Sequence, residues 1–174
     1  MDTLERLHAQ DCIKDSLARY ARAVDRRDWE ALRGCYHPDA TDEHGEFSGS
    51  IDDFIPWVRA RHANVPFSSH FLGNCLIEFV NDTTALVETY FNAIQRKPAA
   101  NGQEGEVDSD VLGRYLDRFE CRDGTWKVAQ RVVVYDGWRQ VPSSHRPRTS
   151  QGTLGQRDMM DPVFTWGRTG GSSG

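Results

Sequence analysis

Asp25 and His70 are the two residue types from which a general base working near neutral pH is made, a carboxylate that orients an imidazole. Asp25 falls near the end of an amphipathic opening segment, and His70 falls in the first long extended segment after it. Such a pair can take a proton from carbon if the fold brings the two together. Tyr20 precedes Asp25 by five positions, a little over one helical turn. Both can face one cavity only where the helix ends or unwinds near Asp25, and Arg26, Arg27 and a fresh capping residue at Asp28 fit such an ending. A carboxylate at a helix C-terminus is disfavoured by the macrodipole, so another group must hold it there. Pairing with Arg26, Arg27 or Arg131 is the plainer alternative. Tyr20 fits two roles, an acid or a core tyrosine with a satisfied hydroxyl. Arg131 shares a strand face with Val133 and Tyr135, so its charge must be paired or must meet a polar cavity. His8, His37, His62 and His145 read as surface or loop residues, whereas His44, beside Asp42, is a candidate pocket residue.

Composition narrows the classes of partner. The chain has 174 residues, enough for one domain with a core around a single cavity. Its net charge of −5 argues against a nucleic-acid or anionic-membrane partner, which would need a basic face. No apolar run approaches the roughly 18 residues of a membrane span. Met1 to Glu5 does not open like a secretory signal. Cys12, Cys35, Cys75 and Cys121 are dispersed without a CxxC pair, so reduced thiols in a cytoplasmic protein are expected and a metal site is not.

The elements that must position these residues follow from periodicity. Leu4, Leu7, Ile13, Leu17, Tyr20 and Val24 predict a first helix capped by Asp2 or Thr3, with one inward stripe. Asp28 caps a short second helix through Trp29, Leu32 and Cys35. His37-Pro38-Asp39 is expected to break the chain before a short strand from Ala40 to Phe47. Ser50 caps a third helix from Ile51 to about Ala63, with a kink or restart expected at Pro56. From Phe67 onward the period changes to two. Segments 68–80, 83–97, 108–121 and 125–139 predict four long strands. Asn81-Asp82 and Asp123-Gly124 are tight-turn chemistry for antiparallel hairpins, and 98–107 is a Gly- and Glu-rich loop. Residues 1–140 form one α+β domain in this reading, a cone-shaped roll with three N-terminal helices on a highly curved, mostly antiparallel sheet. Residues 141–174 form a tail whose apolar Met159, Met160, Val163, Phe164 and Trp166 predict either an oligomer contact or partial disorder, closing on a Gly170–Gly174 segment of linker composition.

This order resembles the SnoaL-like branch of the nuclear transport factor 2-like superfamily. The local marks are Tyr20-Ala21-Arg22-Ala23-Val24-Asp25, Asp28-Trp29-Glu30-Ala31-Leu32 and Tyr36-His37-Pro38-Asp39-Ala40, followed by segments 113–120 and 124–131. Cofactor-independent members of that branch, among them scytalone dehydratase, bile-acid dehydratases and lindane dehydrochlorinase, place a His–Asp pair in the cone. A helix tyrosine or lysine and a strand arginine assist it. The resemblance therefore implies Asp25, His70, Tyr20 and Arg131 as catalytic positions, and Asn92 where some dehydratases carry a carboxylate. It also implies a homodimer or homotrimer.

The chain has no Gly-rich phosphate loop, nucleophile elbow or metal-spaced His/Cys set. Proton transfer without a cofactor is the chemistry that remains. His70 would remove a proton from carbon while Tyr20 or Arg131 stabilises a leaving hydroxide, halide or oxyanion. Tyr36, His44, Trp57, Tyr90 and Asn92 are the expected substrate-binding residues, with Phe47 and Phe71 as further aromatic surface for a ring-containing small molecule. The expected activity is a dehydratase-like lyase, or C–C cleavage, on a small hydroxylated cyclic or aromatic compound. An isomerase, a ligand-binding protein and the small subunit of a ring-hydroxylating dioxygenase are the alternatives.

Overall fold

The computed structural model describes residues 1–99, 105–144 and 152–167. Helix α1 (Thr3–Arg26) starts in a capping box, with Glu5 N–H bound to Asp2 and Asp2 N–H bound to Glu5. Its buried stripe runs Ala9, Ile13, Leu17, Tyr20 and Val24. Leu4 and Leu7, expected on that stripe, are instead exposed, because they fall out of phase with Ala9. The helix ends with Arg27 in the left-handed region at φ 56°, while Asp28 N–H bonds Ala23 O at 2.9 Å. Arg27 adopts this conformation without being glycine, and its guanidinium bonds the Val65 carbonyl at 2.7 Å.

Asp28 caps α2 (Trp29–Gly34), and β1 (Tyr36–His44) follows with only Cys35 between them. The expected break at Pro38 is not a break but a bulge. Tyr36 pairs Val128 and Thr41 pairs Gln130, so five steps on β1 oppose two on its partner. A residue without an N–H is tolerated there because the ladder has already opened. The strand expected to reach Phe47 folds at Gly45 into a hairpin with β2 (Phe47–Ser50). Ser50 then caps α3 (Ile51–Arg61), which runs through Pro56 without interruption.

The rest is sheet. Strands β3 (Phe67–Asn81), β4 (Thr84–Pro98), β5 (Glu106–Arg122) and β6 (Thr125–Pro142) form an antiparallel meander. The β5–β6 hairpin turns on Asp123 at φ 51° and Gly124 at φ 75°, the pair of positive angles that a two-residue turn matching the strand twist requires. The strand order is β2-β1-β6-β5-β4-β3, and β1 alone runs parallel to its neighbour β6. The result is a curved, unclosed six-stranded sheet with α1 packed on β3 and β6, the α+β cone expected from the sequence. Residues 100–104, within the expected 98–107 loop, lie outside the described residues, as do 145–151 and 168–174 of the tail, including Gly170–Gly174. No described helix is long and apolar enough to cross a membrane.

One sheet position is closed to any side chain. A Cβ at Gly113 would lie 2.4 Å from Val134 O and 2.7 Å from the Phe91 ring, which stacks on Tyr115 at 4.4 Å. Backbone cannot withdraw as a side-chain tip can. Gly113→Ala is therefore expected to cost about 3 kcal/mol, the upper end for overpacking, read as a lowered urea midpoint. An unchanged midpoint would mean that β5 and β6 are less tightly apposed than described.

Candidate active site

The helix end and strand β3 meet at Asp25. His70 Nδ1–H donates to Asp25 Oδ1 at 2.7 Å, and His70 N–H donates to Oδ2 at 2.8 Å. Ser68, two residues earlier on the same face of β3, donates its hydroxyl to Oδ1 at 2.8 Å. Burial pushes the Asp25 carboxyl up, but the bonds from His70 and Ser68 outweigh it and hold the carboxyl below the ordinary carboxylate range. A carboxylate so held fixes the His70 tautomer, and among the described residues none bonds the other ring nitrogen, Nε2.

That ring faces a cavity of about 580 Å³ inside the cone, a size suited to a small organic ligand. Tyr20, His44, Trp57, His62, Phe91 and Tyr115 are among the residues that line it with His70. Asp25 itself does not line this space. Helix α1 stays wound through Arg26, so Asp25 is rotated about 140° from Tyr20 around the axis. It reaches His70 from behind, beside Arg22 and Arg26 in a shallower depression.

The expected site residues divide into three groups. His70, Tyr20, His44 and Trp57 line the cavity. Tyr36 and Arg131 point inward but lie beneath its wall. Arg131 is fully buried, bonded twice to Asp117 at 2.7 Å, with its guanidinium 4.0 Å from the Tyr20 ring centre and 4.2 Å from that of Tyr115. Burial pulls Arg131 down, but the Asp117 charge keeps it well above its ordinary range, a fixed cation supporting two cavity-wall rings. Tyr36 gives its hydroxyl to Asp42 at 2.7 Å. Tyr90 and Asn92 form the third group and correct the expectation outright. They alternate on β4 with the cavity-lining Phe91 and Ala93, so both point to the outer face, where Tyr90 is exposed. Phe71 is likewise exposed on that face, and Phe47 packs on Phe54 and Trp57.

Two contributors lie outside the set expected from the sequence. His62 is buried, not a surface residue, and it continues the Ile51, Phe54, Val58 stripe of α3 one turn further. Arg157, from the tail, donates Nε to Asp25 O at 2.9 Å and Nη2 to Val24 O at 3.0 Å. It thereby satisfies carbonyls that the end of α1 leaves open. Its Nη2 also meets His62 Nδ1 at 2.9 Å, and Arg26 pairs with Asp161 at 3.1 Å. Part of the tail thus packs on the helix end that carries Asp25. Met159, Met160 and Trp166 remain exposed.

Burial, reinforced by the Arg157 charge, lowers His62 from 6.5 to about 3. His62 is therefore neutral in the folded protein while the unfolded chain takes up a proton below pH 6.5. Its contribution is intact above that value and is lost as pH falls toward 3. Between pH 7.5 and 4.5 the loss should be about 2–3 kcal/mol, a window above that in which Asp25 titrates. Urea midpoints at those two pH values should converge in His62→Gln relative to the wild type. Equal pH sensitivity in both proteins would exclude His62 as the cause.

The model of the SnoaL-like domain matches residues 5–132. No curated protein matches the chain. Among solved structures, hexachlorocyclohexane dehydrochlorinase (LinA) type 2 is similar with a TM-score of 0.74 and 18% identity, over 86% of this chain and 100% of the other. A Novosphingobium aromaticivorans DSM 12444 protein named "Putative Scytalone Dehydratase" has a TM-score of 0.71 and 20% identity, over 87% and 99%. From the same organism, the beta subunit of a protein named "putative aromatic-ring-hydroxylating dioxygenase" has a TM-score of 0.58 and 22% identity, over 77% and 93%. These identities carry the fold and no activity. The domain match spans α1 and most of the sheet through β6, the elements that hold the cavity and the Asp25–His70 contact, and the chain belongs to the SnoaL-like domain family.

Proposed function

We propose that the chain is a cofactor-independent lyase of dehydratase type, acting on a small hydroxylated cyclic or aromatic compound. The observation that carries this reading is the 2.7 Å contact of Asp25 with His70 Nδ1, which leaves the other ring nitrogen for a ligand in the 580 Å³ cavity. His70 takes a proton from the carbon next to an electron-withdrawing group, and the electron pair expels hydroxide or halide from the neighbouring carbon. Tyr20 is the hydroxyl beside the developing charge. Arg131, behind Tyr20 and Tyr115, supports the wall and touches no substrate. The aromatic lining from Trp57, Phe91 and Tyr115 favours a ring over an extended chain.

The test is a panel of cyclic β-hydroxy ketones and vicinally halogenated rings, followed by the ultraviolet band of the unsaturated product. Elimination by the wild type and not by His70→Ala supports the reading. Tight binding of panel members without turnover would favour the ligand-binding alternative. The likeness to a dioxygenase beta subunit favours a second reading as a subunit partner. A purely docking subunit needs no such dyad, so that reading predicts full complex activity in His70→Ala.

The assembly is proposed to be a homodimer or homotrimer. The outer face of the sheet exposes Leu76, Leu86, Tyr90, Leu112 and Leu116, and the tail adds Met160 and Trp166. Light scattering at micromolar concentration should give two or three times the mass of one chain. A monomer would contradict it.

A further inference from the structure

The cavity holds a second imidazole that is tied to a buried carboxylate. His44 Nδ1 lies 3.2 Å from Asp42 Oδ1, and the other oxygen, Oδ2, takes the Tyr36 hydroxyl at 2.7 Å. Asp42 is completely buried, while the His44 side chain keeps 21% of its surface accessible. The His44 ring is packed by Phe54 at 5.4 Å, Trp57 at 5.9 Å and Tyr135 at 6.4 Å between ring centres. A surface histidine would need none of this. A desolvated carboxylate with both oxygens engaged holds an imidazole in one orientation. As at His70, Nδ1 is occupied while no described residue bonds Nε2, and both rings line the same cavity.

Resting on the lyase reading above, we propose that His44, oriented by Asp42 and Tyr36, is the general acid of the site and protonates the departing hydroxyl. The two histidines divide the reaction. His70 Nε2 takes the proton from carbon, and the C–H electron pair becomes the new C=C bond. The C–O bond breaks toward oxygen, and His44 Nε2–H delivers its proton there, so the group leaves as water. His70 ends protonated and His44 neutral, and exchange with solvent restores both. Substrate loses one water, and no oxidant or reductant is required. Tyr20 is poorly suited to that donation, since burial raises its hydroxyl well above the ordinary tyrosine range. Tyr36 is a positioning residue, since its hydroxyl is spent on Asp42.

A leaving group that needs no proton separates this role from pocket shape. The test compares 3-hydroxycyclohexanone with 3-acetoxycyclohexanone, both giving cyclohexenone, in the wild type, His44→Gln and Asp42→Asn. The expected result is that the rate loss in His44→Gln is about 10²-fold larger for the hydroxy than for the acetoxy compound, the usual worth of a positioned acid. Asp42→Asn should show the same preference and carries the test should His44→Gln fold poorly. Equal losses with the two compounds, or no loss with either, would overturn the proposal while leaving the lyase reading intact. Wild-type inactivity toward both would instead overturn the lyase reading, and this assignment with it.

Discussion

His70→Ala and Asp25→Ala are each expected to lose about 10²–10⁴-fold in turnover, the usual worth of a positioned base. The double variant should lose little more than the worse single one. The two side chains act as a unit through the 2.7 Å bond from Nδ1, so removing either disables the same step. Asp25→Ala also strands the His70 backbone N–H and the Ser68 hydroxyl, which both donate to this carboxylate. Asp25→Asn is the gentler companion, since it keeps an acceptor while removing the charge. Turnover measured on the compound selected from the ketone and halide panel decides the matter. Multiplying losses in the double variant would mean that the residues act separately.

Arg131→Met is expected to destabilise the fold by about 3–5 kcal/mol, because it leaves Asp117 buried and unpaired. Both partners have no accessible side-chain surface, and the guanidinium also supports the faces of Tyr20 and Tyr115. Combining it with Asp117→Leu should recover much of that loss, since an apolar pair of similar volume imposes no charge on the core. Urea denaturation of the two single variants and the double variant reads this directly. A stable Arg131→Met protein with lost turnover would reinstate Arg131 as a group acting on substrate.

The hairpins were legible in the sequence for local reasons, whereas the Asp25–His70 contact was expected from the resemblance to the SnoaL-like branch and not from spacing. Asp123-Gly124 can hardly do anything but turn, and four long alternating segments must pair. Asp25 at a helix C-terminus is unfavourable by itself, and the partners that hold it are His70 and Ser68. Which face of β4 lines the cavity was not legible. Leu86, Tyr90 and Ile94 on one side are as apolar as Val87, Phe91 and Ala93 on the other, so hydrophobicity cannot choose between them. The expectation that Tyr90 and Asn92 bind substrate fails for that reason. Arg131 lies on the inner side of its strand, with Val133, but its depth beneath Tyr20 depends on how closely α1 approaches β6. Arg157 lies 132 residues from Asp25 in the chain, and no local pattern announces a contact of that range. His62 was within reach of a sequence argument, since it is four residues beyond Val58 on a helix stripe.

Carbon-proton removal can be observed apart from any leaving group. Proton NMR of cyclohexanone in D₂O, with and without protein, measures hydrogen exchange at the carbon next to the carbonyl. The wild type should accelerate that exchange, His70→Ala and Asp25→Ala should return it to the buffer rate, and His44→Gln should retain His70-dependent exchange. Wild-type exchange at the buffer rate, or exchange in His70→Ala as fast as in the wild type, would contradict the assignment of His70 and Asp25 as the carbon base.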